Sequence, residues 1–403
     1  MILLMIEAEI AKLASWTAKA GLEGRSEIAL LEGFAVRAAA AGLPLMRAIV
    51  FIDTLHPIYE GRAFRWEREN PETTLTEYGR TNEGEAAERW RASPFYRMLE
   101  NGESLLRLTP ETAAEFTMPA DSLAGPVAEY VAIVNRFAAD GAIGEMDCFY
   151  AGWLTDRAGG FSDEEVMALK RLTPFLGLAI KSASLGRIAE TLVETYLGRD
   201  AGRRVLRGRI ARGVADRIET VLWFSDLRNY TRISDSSPPE HIIPLLNDYA
   251  DAIVSAIHQN SGDVLKLIGD GALAIFPAEQ HERACAAALD AAKSAREAVA
   301  ALNGRRLEQG LPVTDMYLGL HFGEVFYGNI GSTERLDFTV VGPAVNEVSR
   351  IAAMCRSVDQ PVLLSQAFAA AVAEERRRFV SVGRFALRGV GLPQELFTLD
   401  VQN

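Results

Sequence analysis

Apolar and polar positions along the chain follow two rhythms, and each predicts a different kind of element. Over residues 1 to about 160, helical patterns alternate with short apolar runs, RAIVFIDTL at 47–55 and MDCFYAGWLT at 146–155, which read as strands of a mixed α/β unit. Ser162 and Glu165 have the S-x-x-E spacing of a capping box, so a helix is predicted to start there. Val166, Leu169, Leu172 and Leu176 continue it at helical spacing. Beyond Pro174 the pattern runs on through Leu178, Leu185, Ile188, Leu192 and Tyr196, close to a 3-4 repeat. Such a stripe suits either pairing with its own copy or packing on its own domain.

Residues 199–217, RDAGRRVLRGRIARGVADR, carry seven arginines among glycines and read as a solvated junction between modules. The pattern then sharpens. IETVLWFSD at 218–226 is a strand ending in Asp226, and a helix is predicted to follow with Ser237 as its N-cap and Pro238 at its first position. Ile242, Leu245, Leu246, Tyr249, Ile253 and Ile257 form its apolar face. DVLKLIGDGALAIF at 263–276 reads as two strands around Gly269, Asp270 and Gly271, a hairpin in which Asp-Gly supplies positive φ angles. An Ala-rich helix over roughly 281–303, strands in MYLGLHFGEVFYGNIG and DFTVVG, and a helix in PAVNEVSRIAAMC complete the series. The order β-α-β-β-α-β is that of a ferredoxin-like split unit, so the predicted fold class is α+β.

Length and composition then bound the function. A chain of 403 residues exceeds one compact core and predicts two or three units. With 42 Lys and Arg against 54 Asp and Glu, the net charge of −12 argues against sequence-independent binding of nucleic acid or anionic lipid. Cys148, Cys285 and Cys355 are too far apart for a disulfide framework or a CxxC metal knuckle, which fits a reducing cytoplasm. The opening MILLMIEAEIAKL has Glu7 and Glu9 and no basic flank, so it reads as an amphipathic helix, and no apolar stretch suggests a membrane span.

Asp226 at a strand end and Asp270 at a neighbouring hairpin tip are expected to converge just outside the sheet. Two hard carboxylates there suit Mg²⁺, which keeps waters and completes its shell with substrate phosphates, so a nucleotide substrate is expected. Taken singly, each acid also reads as an ordinary turn or cap residue. Lys266 alternates with Leu265 and Leu267 and is expected on the face opposite theirs. Asn346 and Arg350 stand four residues apart on one predicted helix face, after the Gly342-Pro343 turn.

In FSDLRNYT, KLIGDGALAIF, LHFGEVFYGNIGS and FTVVGPAVNEVSRI, occurring in that order, residues 218–400 resemble the class III nucleotidyl cyclases. The resemblance implies that Asp226 and Asp270 bind two Mg²⁺ or Mn²⁺ ions, with the Leu227 carbonyl as an additional ligand. It implies that Lys266 and Thr339 select the purine, that Asn346 orients the ribose and that Arg350 stabilises the transition state. Thr339 stands where many adenylyl cyclases have Asp, as in a subgroup of which several members respond to bicarbonate. Guanylyl cyclases resemble one another in Glu and Cys at the two purine positions, so ATP is favoured, with some leakage to GTP. Glu324 stands where some relatives have a phosphate-binding arginine; Arg388, in LRGVG, is a candidate substitute for a triphosphate-binding basic residue, with a solvated loop arginine the alternative. Family members assemble their sites between two subunits, so a homodimer is implied. A guanylyl or mixed cyclase and a nucleotide-responsive binding module are the alternatives.

Further upstream, TDRAGGFSDEEVMALKRLTPFLGLAIK at 155–181 resembles the closing strand and helix of a GAF-type sensory domain. The expected organisation is a GAF-like regulatory domain at 1–184, a helical linker at 185–217 and a cyclase catalytic domain at 218–403. An unidentified small-molecule signal would act at the first. Cys148, His56, Trp66 and Tyr59 are candidate ligand contacts there, with core packing the alternative for each.

Overall fold

A computed structural model describes residues 2–118, 123–137, 143–144, 146–277, 279–373 and 378–400. The chain divides into two units, Met1–Leu192 and Val193–Asn403.

In the first unit the alternating apolar runs become six antiparallel strands: β1 (Arg47–Asp53), β2 (Gly61–Glu67), β3 (Thr74–Tyr78), β4 (Leu105–Leu108), β5 (Glu129–Arg136) and β6 (Cys148–Thr155). They lie in the order β3-β2-β1-β6-β5-β4. Both faces are covered. On one, α1 (Ile2–Leu22), α2 (Glu27–Ala40) and the long α6 (Asp163–Leu197) close a core around Phe34, Phe64, Trp66, Phe149 and Trp153. On the other, α3 (Gly84–Arg91), α4 (Pro94–Asn101) and α5 (Pro110–Ala113) cover Tyr130, Cys148 and Tyr150. Trp66 and Cys148 are thus core residues. His56 stacks on Tyr59 and accepts the N–H of Ile58 at 3.1 Å and of Tyr59 at 3.3 Å, as a turn residue does.

The expected capping box is present: the Ser162 N–H donates to Glu165 at 2.7 Å and the Glu165 N–H to Ser162 Oγ at 3.3 Å. The helix it opens continues through Pro174 to Leu197. The arginine-rich stretch is largely exposed, as expected of a junction, but it is also structured. It holds α7 (Arg199–Leu206), and Arg204 and Arg209 both pair with Asp216, at 3.0 Å and 2.6 Å.

In the second unit the elements follow as β7 (Ala215–Leu227), α8 (Tyr230–Ser236), α9 (Ile242–Gln259), β8 (Asp263–Ile268), β9 (Gly271–Pro277), α10 (His281–Glu308), β10 (Met316–Gly331), β11 (Leu336–Val341), α11 (Pro343–Val358), β12 (Val362–Ser365), α12 (Gln366–Ala371), β13 (Phe379–Phe385) and β14 (Gln394–Leu399). The β7-α9-β8-β9-α10-β10 order is the expected split unit. The sheet runs β13-β14-β12-β10-β7-β9-β8, with β11 paired to β10. Helices α9 and α10 pack on one face over Trp223 and Phe276. One expectation fails: Ser237 ends α8 instead of capping α9, which starts at Ile242 after a 3₁₀ turn at Pro239–His241. The cause is Pro238-Pro239, since the residue before a proline is pushed out of the helical region and Pro238 is extended at ψ 137°.

Among the described residues no helix is long and apolar enough to cross a membrane.

Candidate active site

The acid pair is built by a strand end and a tight turn. Ile268 pairs with Gly271, leaving Gly269 and Asp270 as the turn residues. The positive φ that closes it, +62°, belongs to Gly269 and not, as expected, to Asp270-Gly271. Gly271 serves by lacking a side chain, because a Cβ there would lie 2.3 Å from the Ser225 carbonyl. Its absence lets the tip of the hairpin rest on the end of β7, where the Leu227 N–H donates to Asp270 at 3.3 Å. Burial, with Asp270 beside it, pushes the Asp226 carboxyl up to about 6, while the Arg356 charge pulls the other way. Two carboxylates held together against their repulsion form a site that gains from a divalent cation. Asp226, Asp270 and the Leu227 carbonyl are hard oxygen donors of the kind Mg²⁺ takes. Among the described residues no group of three or more His, Cys, Asp or Glu gathers as a protein-only cage, and Mg²⁺ sites completed by substrate phosphates need none.

Lys266 lies on β8 beside a bulge between Val264 and Lys266, so the simple alternation expected there is broken: Leu265 is buried while Leu267 is 58% exposed. The Lys266 ammonium pairs with Asp337 on β11. Thr339, two residues further along the same strand and on the same face, is buried. Its hydroxyl has no hydrogen-bond partner among the described residues. Lys266 thus meets β11 two residues before Thr339.

Asn346 and Arg350 lie on α11, which begins with Gly342 at φ +150° and Pro343 in its first turn. Ala344, Val348, Ile351, Ala352 and Cys355 are its buried face. That face sits flush on β10 because Gly319 has no side chain: a Cβ there would meet Ala352 N at 2.7 Å. Asn346 is consequently exposed and Arg350 half-buried. Among the described residues the Arg350 guanidinium has no ion-pair or hydrogen-bond partner. It runs beside the 387–391 loop, where a Cβ on Gly389 would stand 3.9 Å from it, and Arg388 is exposed in that loop. Glu324 is taken up by an ion pair with Arg217.

The structure therefore brings Asp226, Leu227 and Asp270 together, and Lys266 together with the strand bearing Thr339. No hydrogen bond or ion pair among the described residues joins the acids to Lys266, Thr339, Asn346 or Arg350.

Residues 214–400 match the family model described as the adenylate and guanylate cyclase catalytic domain. This half of the chain is a class III cyclase catalytic domain. It is 34% identical over 158 residues to an adenylate cyclase of Anabaena cylindrica, a match covering 38% of this chain and 31% of that protein. An uncharacterized protein of Mycobacterium tuberculosis is 32% identical over 209 residues, 51% of this chain and 36% of that one. The chain thus spans about a third of the length of these curated relatives. Among solved structures, the adenylyl cyclase CyaB from P. aeruginosa matches 47% of this chain and 97% of its own, with 21% identity and a TM-score of 0.44.

Two groups of the cyclase domain escaped the sequence reading. Asp337 pairs with Lys266 across 71 residues of sequence, and alternation on β11 with Thr339 was its one available signal. Arg356, on the last turn of α11, is close enough to Asp226 to act on its charge. Nothing in the spacing of the two marks that approach.

Proposed function

We propose that the protein is an adenylyl cyclase that converts ATP to 3′,5′-cyclic AMP and pyrophosphate at sites shared by two copies of the chain. The observation that carries this reading is the Asp226 and Asp270 pair, packed together at the end of β7 in a cyclase catalytic domain. The ions, Mg²⁺ or Mn²⁺ and two per site, would be held by Asp226, Asp270 and the Leu227 carbonyl; once bound, they lower the pKa of the ribose 3′-hydroxyl and neutralise the phosphates. The chain's own groups do the rest by position and charge, because phosphoryl transfer asks for little covalent help.

Lys266, steadied by Asp337, donates to a ring nitrogen of adenine, and the Thr339 hydroxyl takes the neighbouring edge of the base. That hydroxyl both donates and accepts, so it discriminates against GTP less strictly than a carboxylate. Asn346 orients the ribose. Arg350, with no ion-pair or hydrogen-bond partner among the described residues, donates to the α-phosphoryl oxygens as their charge grows, a contribution worth about 10²-fold or more in rate. Arg388 is the basic group for the outer phosphates.

The acids of one copy and the lysine, threonine, asparagine and arginine of the other compose each site, so the homodimer is the working form. The six-stranded antiparallel sheet of the first unit, with helices on both faces, supports a GAF-like regulatory domain that responds to a small molecule. Its substrate assigns the protein to the cytoplasm.

Product analysis of the purified protein given ATP or GTP with Mn²⁺ tests the assignment. Cyclic AMP is expected from ATP, with Asp226→Ala and Asp270→Ala each reducing turnover by about 10²-fold or more. Undiminished turnover in both variants, or cyclic GMP as the main product, would overturn it.

A further inference from the structure

Behind the acid pair lies a buried network that the groups named so far leave unexplained. Arg228, the first residue beyond β7, is held by both of its main-chain polar groups. Its N–H donates to the Asp315 carbonyl at 2.7 Å, and its own carbonyl accepts from Thr314 Oγ1. The peptide joining Leu227 to Arg228 is planar and trans, so the Leu227 carbonyl points away from the bond made by the Arg228 N–H. In a strand the N–H and C=O of one residue lie on the same side, and the Leu227 N–H is directed at Asp270. The grip on Arg228 therefore turns the Leu227 carbonyl towards Asp270.

Thr314 is itself locked by a closed ring of hydrogen bonds. Its N–H donates to the Tyr249 phenol oxygen at 2.7 Å, the Tyr249 hydroxyl donates to Asn303 Oδ1, and Asn303 Nδ2 donates to the Thr314 carbonyl at 2.7 Å. Thr314 is 8% exposed and Tyr249 1%. Tyr249 comes from α9 and Asn303 from α10, so the two core helices together fix one threonine whose free hydroxyl reaches the active-site strand. A network of this kind, satisfied throughout, is rigid.

We propose that Thr314, locked by Tyr249 and Asn303, is a positioning residue that holds the Leu227 carbonyl in place as a ligand of the divalent cation. The proposal rests on the reading of Asp226, Asp270 and Leu227 as the cation donors. Thr314→Val is nearly isosteric, keeps the main-chain ring and removes the hydroxyl's bond to the Arg228 carbonyl together with its longer 3.3 Å contact to the Asp315 carbonyl, the group that accepts the Arg228 N–H. Arg228 is exposed, so water can take over its carbonyl and the fold survives.

Mn²⁺ binding to the full-length protein, read from the free-ion signal in electron paramagnetic resonance, is the test. It is run with Mn²⁺ alone and with 3′-deoxy-ATP, which lacks the attacking hydroxyl. Thr314→Val is expected to weaken Mn²⁺ binding about tenfold with a melting temperature close to that of the parent protein, and Thr314→Ser to restore it. Wild-type Mn²⁺ affinity in Thr314→Val, whatever happens to its melting temperature, would overturn the proposal. Thr314→Ala is read by the same criterion where the valine variant does not fold. Asp226→Ala separates the levels: if it keeps Mn²⁺, the cation reading itself fails. If it loses Mn²⁺ while the Thr314 variants keep it, only the positioning role fails.

Discussion

Asp226 is held under strain of charge. Its pKa is pushed from 3.8 to about 6 by burial and by Asp270, so the folded state binds its proton more tightly than the unfolded chain does. The stability this group contributes is full below 3.8 and is lost as the pH rises through about 6. His321, whose pKa burial pushes down to about 4, works the other way: it costs stability as the pH falls from 6.5 towards 4. Comparing a variant with its parent isolates the first effect. Metal-free Asp226→Asn is expected to melt above the parent at pH 7.5, with the gap narrowing as the pH falls through 6 towards 3.8, when followed by calorimetry. An equal or lower melting temperature at pH 7.5 would contradict the account. At this scale the sequence singled out Asp226, Lys266, Asp270, Asn346 and Arg350 because they stand within short motifs, and the structure packs two of them, Asp226 and Asp270, together. Asp337 and Arg356 stayed hidden because their partners come from other strands. The role of Gly271 was hidden too, since a glycine needed for close approach reads in sequence like one needed for a turn.

At the scale of elements, the long helix α6 is tied into the first unit by a buried carboxylate. Glu27, 2% exposed, accepts from Arg62 at 3.1 Å, from Arg187 at 3.3 Å and from Ser184 at 3.4 Å. Removing one member of such a cluster leaves buried charge without its partner, at a cost of about 3 kcal/mol or more. Glu27→Ala is therefore expected to lower the unfolding free energy of the full-length protein, measured by denaturant titration, by that amount, and a change within error would show the cluster to be dispensable. Within the second unit α7 is fastened similarly: the Asp263 carboxylate accepts the N–H groups of Arg199 and Asp200, both at 3.1 Å. Helix α6 was legible from its capping box and apolar spacing. The helix within residues 199–217 was not, because the acids that fasten it, Asp216 on Arg204 and Arg209 and Asp263 on the N–H groups of Arg199 and Asp200, come from separate strands. The start of α9 was misread for a local reason, two consecutive prolines after Ser237.

For the whole molecule, the order of strands and helices in the cyclase domain followed from apolar periodicity, since each element is long and its turns carry Gly or Pro. The role of the first unit did not, because among its candidate contacts Trp66 and Cys148 pack in the core and His56 with Tyr59 forms a turn, none of which names a ligand. What ties the molecule together is the claim that each active site takes its acids from one chain and its base-, ribose- and phosphate-binding groups from another. Mixing Asp226→Ala with Arg350→Ala tests it most directly, as each variant alone lacks one half of every site. After subunit exchange half of the dimers are mixed and each of those holds one intact site, so cyclic AMP formation is expected to recover to about a quarter of the parent rate. Recovery to no more than the sum of the two variants alone, in mixtures shown to have exchanged subunits, would contradict the account.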